Sequence, residues 1–231
     1  MSGVVKYKDH RSGRVVFISQ CIANQNLRFP GIAVTAGVCR ELVEMLAAGG
    51  AGIETIPCLE RIGWGGIART GFIKYQPYLL ARHRAPVSRI ITLFARLWLW
   101  NYGRRCGREA AKIVSCMEDY LRQGYVIDGI ISVDDSPTDG VTHTIDLLRS
   151  SAKIRSGTFD AGKVLSADIS LMKEILPALC ERGEGIFMRT LKARLKKKAV
   201  QVKIIGFDPW ADQGAEAERI SKELNLYHTE S

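Results

Sequence analysis

Cys21, Cys58 and Asp139 are the residues of this chain whose types and positions could do chemistry together, because each falls just beyond a short apolar run that reads as a β-strand. The runs lie at 15–18, 53–56 and 127–133, and each opens into a polar or Gly/Pro-containing loop rather than a tight hairpin turn. In an open α/β sheet, ligands bind in the crevice outside the carboxyl ends of the parallel strands. The three side chains are therefore expected on one edge of one sheet. Thiolates ligate soft or borderline metals, and iron–sulfur clusters are held chiefly by cysteine. The spacing matches neither a zinc ribbon nor a ferredoxin run. A lone cysteine is also commonly a small core hydrophobe, so pattern alone leaves ligand and core residue both open.

The elements that must position these residues follow from periodicity. Residues 35–46 carry apolar side chains at helical spacing, with Thr35 as the expected N-cap and Gly49-Gly50 as the stop. The Gly63-Trp64-Gly65-Gly66 run breaks regular structure, so 61–72 is expected to be a loop able to approach a ligand closely. A long, unusually apolar helix is expected over 87–121, interrupted near Gly103 and Gly107. Beyond the 127–133 strand, 144–165 is a mixed segment with Gly157 and Gly162. Helices are expected at 168–182, 185–197 and 215–224, and a fourth strand at 202–206. Strands spaced by helices imply an α/β fold: a mostly parallel sheet with helices on both faces, a Rossmann-like three-layer arrangement in one domain spanning 1–231.

The chain has 231 residues, 46% of them hydrophobic, enough to bury a core without staples. Its six scattered cysteines do not form a disulfide framework. The opening MSGVVKYKDHRSGR lacks an apolar h-region, and a cytoplasmic location is expected. The formal charge of +9 is concentrated at 82–108 and 192–198, which suits phosphate-bearing partners from a nucleotide to RNA, and equally suits a solvated helix face. The stretch at 89–102 is too short between its arginines to span a bilayer. Packing against protein, a homodimer through 88–102 included, is expected there, and a membrane is not; the rarer reading lays the helix on a membrane surface with its tryptophans at headgroup level.

At this point the residues carry a resemblance. Ile18-Ser-Gln-Cys21-Ile-Ala-Asn24-Gln-Asn26, Pro57-Cys58-Leu59-Glu60 and Ser136-Pro-Thr-Asp139-Gly140-Val141 resemble, in order and spacing, the three signatures of the 2-thiouracil desulfurase (thionucleobase desulfidase) family. The Asn-Gln-Asn after Cys21 and the pieces Gly185-Ile-Phe-Met and Ile205-Gly-Phe-Asp-Pro are similar to one desulfidase branch of it. The resemblance covers most of the chain, and the apolar 82–102 segment fits it poorly. It implies a 4Fe-4S cluster held by three cysteines, with one iron open to the sulfur of a thiolated base, nucleoside or nucleotide. Carried over by position, Cys21 and Cys58 match cluster ligands, Glu60 the acid/base carboxylate, and Ser136 the assisting serine. Asp139 stands where the family has its third cysteine, and Leu59 where it has a proline.

A carboxylate can bind iron as a harder, more exchangeable ligand, while Ser-Pro-Thr-Asp-Gly is also a good turn. Asp139 is thus an unusual third ligand or a turn residue. The rival expectations are a cluster- or metal-binding module without the reaction, and a desulfidase or binder directed at thiolated tRNA. His143 is a further candidate ligand or proton carrier. Cys39 is a substitute ligand or a core residue, and Cys106, Cys116 and Cys180 belong to helices away from the crevice. Asn24 and Asn26 suit a base or their own loop backbone. Arg28, Arg61 and Arg69 suit a substrate phosphate or solvent.

Overall fold

The computed structural model describes residues 9–155, 165 and 168–226. Gly157 and Gly162 lie outside the described residues. Four strands, β1 (Arg14–Ser19), β2 (Gly52–Ile56), β3 (Val126–Val133) and β6 (Ile204–Phe207), form one all-parallel sheet in the order β2-β1-β3-β6. A short antiparallel pair, β4 (His143–Ile145) and β5 (Cys180–Arg182), stands apart from it. The helices are α1 (Gln20–Ala23), α2 (Arg40–Ala48), α3 (Leu59–Gly63), α4 (Phe72–Arg82), α5 (Val87–Arg122), α6 (Leu147–Arg155), α7 (Ile169–Leu179), α8 (Ile186–Lys197) and α9 (Gln213–Leu224).

Strand β1 and the second half of β3 read as nearly continuous apolar runs because both faces are covered there, whereas the edge strand β2 carries Glu54 and Thr55 and buries only Ile56. Alternation of side chains sends Val15, Phe17 and Ile130 into one core with α5 and α8, while Val16, Ile18, Ile131, Ile205 and Phe207 enter a second core with α2 and α9. This is a three-layer, Rossmann-like α/β fold. The chain leaves β1 for β2 on one side and returns past β1 to β3 on the other. The topological switch point therefore lies between β1 and β3, where such folds open their crevice.

Several local expectations give way to tertiary contacts. Helix α5 runs unbroken through Gly103 and Gly107, its glycine at 107 passing close to Thr190 and Arg194 of α8. The expected loop at 61–72 contains the end of α3, and α4 follows at once. Helix α3 comes so near α5 that a side chain at Gly63 would overlap the Tyr102 ring. Helix α2 begins at Arg40 after Cys39, and Thr35 instead donates its hydroxyl to the Val38 carbonyl at 2.8 Å. The helix expected to reach 182 stops at Leu179, so Cys180 is a strand residue paired with Ile145. Asp168 and Asp212 cap α7 and α9 by accepting from the N–H groups of Leu171 and Ala215, both at 2.9 Å.

Candidate functional site

The loops after β1, β2 and β3 meet at a single cavity of about 140 Å³, whose lining includes Cys21, Cys58, Glu60, Ser136 and Asp139. The five positions come from three separate segments. Apolar side chains such as Phe29, Ile32, Trp64, Ile73, Met172 and Leu176 complete the wall. Ligand pockets for drug-sized molecules run to ~300–1,000 Å³, so this cavity suits something smaller.

Cys21 lies in α1, directly after β1. Its loop is braced from within: Gln25 donates from Nε2 to the Cys21 carbonyl at 2.7 Å, and its Oε1 accepts from the Val34 N–H at 3.0 Å. Asn24 Oδ1 accepts from the Asn26 N–H and side chain, both at 3.1 Å, so this pair serves the loop itself. Burial pushes the Cys21 thiol well above its usual range, and the nearby acidic groups Asp139, Cys58 and Glu60 add to this against the pull of Arg28.

Cys58 occupies the N-cap position of α3, where its sulfur accepts from the Arg61 N–H at 3.5 Å and its thiol faces the Leu27 carbonyl at 3.8 Å. Burial, with Glu60 second, holds its pKa up at about 11. Arg69, expected to meet a phosphate or solvent, is instead wholly buried with a left-handed backbone at φ 52°. Its Nη2 donates to the Leu27 carbonyl at 2.5 Å and to Cys58 Sγ at 3.4 Å, and its Nη1 to the Gly66 and Ile67 carbonyls at 2.7 and 3.2 Å. Its Nε stands 3.9 Å from Glu60 Oε2. One guanidinium thus ties the β2 loop, the glycine-rich turn and the Cys21 loop together.

Ser136 donates to Glu60 Oε1 at 3.0 Å while its oxygen accepts from the N–H groups of Thr138 and Asp139 at 3.2 and 3.0 Å. The loop carrying Ser136 and Asp139 is held from every side. Asp134 Oδ1 accepts from the N–H groups of Val141, Thr142 and His143 at 2.7, 2.8 and 3.2 Å. Ser132 Oγ donates to the Asp139 carbonyl at 2.9 Å and, with that hydrogen committed, accepts from Ser19 Oγ at 3.0 Å. The N-terminus of α8 closes the ring, Ile186 and Phe187 donating their free first-turn N–H groups to the Pro137 and Thr138 carbonyls, both at 3.0 Å. Tyr102 and Thr138 share a buried hydroxyl bond of 2.8 Å.

The Asp139 carboxyl itself is 7% exposed, and its Oδ1 has no hydrogen-bond partner in the protein. Burial, then the proximity of Glu60, raises its pKa to about 7 against the opposing influence of Arg28. Such a group favours the fold most when protonated. Its stabilising share is complete below the ordinary carboxylate pKa near 3.8 and is lost as pH rises toward about 7. Asp139→Asn is therefore expected to flatten the pH dependence of stability between pH ~4 and ~7 and to make the metal-free protein more stable at pH ~8, by on the order of 2–4 kcal/mol. Urea unfolding of both proteins at the two pH values reads this out, and parallel pH profiles would overturn it.

Unsatisfied polarity is concentrated at the cavity. Among the described residues eight buried side-chain polar atoms lack a hydrogen bond, and five of them belong to lining residues: Arg28 Nη1, Trp64 Nε1, Arg69 Nε (whose only charged neighbour there is Glu60 Oε2 at 3.9 Å), Gln76 Nε2 and Asp139 Oδ1. Buried polar groups are ordinarily paired, and four donors and one carboxyl oxygen at one cavity have the chemistry to receive a polar, acceptor-rich molecule. His143 does not line the cavity; it is exposed and shares a 3.0 Å contact with Thr142 Oγ1. Cys39 is fully buried in the second core and accepts from Gln25 Nε2 at 3.3 Å. Cys106 is buried inside the first core.

The donor types at the cavity fit an iron–sulfur cluster: two thiols, a carboxylate and, in Asp139 Oδ1, a buried oxygen that a Lewis acid would satisfy. Their spacing is that of a pocket lining. Among the described residues no group of three or more His, Cys, Asp or Glu side chains is drawn together to hold a metal ion. Compared with protein-family models, with curated proteins and with solved structures, the chain matches none.

Proposed function

We propose that this protein is a desulfidase of the thionucleobase type, replacing the sulfur of a small thiolated base by the oxygen of water. The observation that carries the reading is the convergence of Cys21, Cys58, Glu60, Ser136 and Asp139 from three strand-end loops on one cavity. The same five positions are those to which the resemblance gives a role.

In this reading Cys21, Cys58 and Asp139 would hold the cluster. When bound, such a cluster supplies a Lewis-acidic acceptor for a thiocarbonyl sulfur. The chain's own groups do the rest. Arg28, Trp64 and Gln76 offer unpaired donors to the ring's acceptors, and the apolar wall excludes bulk water. Glu60, oriented by the Ser136 hydroxyl at 3.0 Å, takes a proton from the attacking water and returns one to the departing side. In the balance one water is consumed, the C=S becomes C=O, and sulfur leaves as hydrogen sulfide.

The absence of a drawn-together ligand set among the described residues favours a second reading, a pocket that binds a small heterocycle without turning it over. Anaerobic reconstitution with iron and sulfide followed by incubation with 2-thiouracil separates them. Release of sulfide and appearance of uracil, over many turnovers per chain, supports the enzyme. Saturable thiouracil binding without sulfide release identifies the binder and contradicts the enzyme.

A further inference from the structure

Helix α5 is apolar on two opposite sides. One buries Ser88, Ala95, Tyr102 and Cys106, as a helix packed on a sheet should. On the other, Ile90, Leu93, Phe94, Leu97 and Trp100 are exposed, Phe94 and Trp100 by 60% and 63%. At 3.6 residues per turn the exposed five span an arc of about 120°, a continuous stripe rather than scattered singles. Arg89 and Arg96 edge this stripe, and Arg104, Arg105 and Arg108 extend it by a turn, with Arg104 stacked over the Trp100 ring at 5.0 Å.

The charge around the stripe says what covers it. From residue 61 to residue 108 the chain has ten Lys and Arg residues and no Asp or Glu. Among the described residues no carboxylate pairs with Arg89, Arg96 or Arg105. A second copy docked on this face by a twofold axis would set arginine against arginine, because the acids nearest Trp100, namely Asp146, Glu181 and Glu184, are already engaged by Leu148 and Arg149, by Arg149 and by Lys192. A nucleic acid would satisfy the arginines and leave the large aliphatic side chains in water. An anionic bilayer satisfies both, since basic residues meet its headgroups while Trp, Phe and Leu enter the acyl boundary. No helix among the described residues is long and apolar enough to cross a membrane.

We propose that the exposed face of α5 is a membrane-surface docking site, on which the protein lies with this helix in the plane of an anionic lipid bilayer. Binding draws on both halves of the stripe and falls with salt as exposed charges are screened.

The test is sedimentation of the full chain with vesicles of phosphatidylcholine alone and with about 30% phosphatidylserine added, anionic lipid being the element the charge pattern demands. The expected result is at least ~10-fold tighter binding to the anionic vesicles, with a loss of similar size in Arg89→Glu/Arg96→Glu and in Phe94→Glu/Trp100→Glu. Quenching of wild-type tryptophan fluorescence by brominated acyl chains gives the same answer without a variant. Any of three outcomes would overturn the proposal. These are equal sedimentation with both vesicles or neither, no quenching, or a stable dimer in lipid-free buffer that Phe94→Glu/Trp100→Glu converts to monomer.

Discussion

Replacing Glu60 with Gln is expected to lower turnover of a thiolated base by ~10²- to 10⁴-fold, the range that a positioned general acid/base supplies, while iron content and fold stay as in the wild type. A glutamine oxygen still accepts the Ser136 hydroxyl that Glu60 Oε1 accepts at 3.0 Å, so the geometry persists. What is lost is the capacity to exchange a proton. The loss should fall on kcat, with KM little changed, because Glu60 is not among the residues whose unpaired donors face the ring. Steady-state sulfide release by the reconstituted variant measures it, and turnover within twofold of wild type would remove Glu60 from the chemistry.

The second large effect is structural. Gly185 sits where the N-terminus of α8 presses on the Ser136–Gly140 loop, and a Cβ there would overlap the Thr138 carbonyl and fall 2.8 Å from the Asp139 nitrogen. These are backbone atoms that cannot swing aside. Gly185→Ala is therefore expected to cost roughly 1–3 kcal/mol or more, as overpacking does, and to loosen the loop that carries Ser136 and Asp139. Gly103→Ala is the matched control, since nothing lies within 4 Å of a Cβ at that helical position. There the substitution should stabilise by ~0.5–1 kcal/mol through helix propensity. Urea denaturation of the two variants should move in opposite directions, and equal midpoints would show that the clamp on the loop is loose.

The sheet was legible in the sequence because its central strands, buried on both faces, leave apolar runs and the edge strand β2 still carries Ile53 and Ile56, and the strands at 14–19, 52–56, 126–133 and 204–207 lie within two residues of the expected ones. The carboxyl ends of β1, β2 and β3, where such sheets bind ligands, are also where Cys21, Cys58 and Asp139 meet. Other features depend on partners distant in sequence. The three-residue strands β4 and β5 exist through pairing with each other, and so interrupt what periodicity extends as a helix to 182. Gly103 and Gly107 do not break α5, because a cost of ~1 kcal/mol for each glycine is small beside the packing of the rest of this 36-residue helix.

Arg69 is the clearest example at the site. Its residue type suggests solvent or phosphate, yet three backbone carbonyls and the Cys58 sulfur receive its guanidinium inside the protein. The only signal in the sequence was its position in a glycine-rich turn, where the backbone can reach φ 52° and turn such a side chain inward. Asp134 was equally silent. Its carboxylate brackets three successive N–H groups, and no motif spacing reveals that it shapes the loop holding Asp139.

The iron and acid-labile sulfide content of the anaerobically prepared chain, beside Cys21→Ala/Cys58→Ala and Asp139→Cys, tests the cluster site most directly. About four irons and about four sulfides per chain are expected in the wild type, with near-complete loss in the double alanine variant and firmer retention in Asp139→Cys, where a thiolate replaces a harder ligand. A wild type that takes up no iron under reconstitution, or a double alanine variant that keeps its full load, would contradict that site.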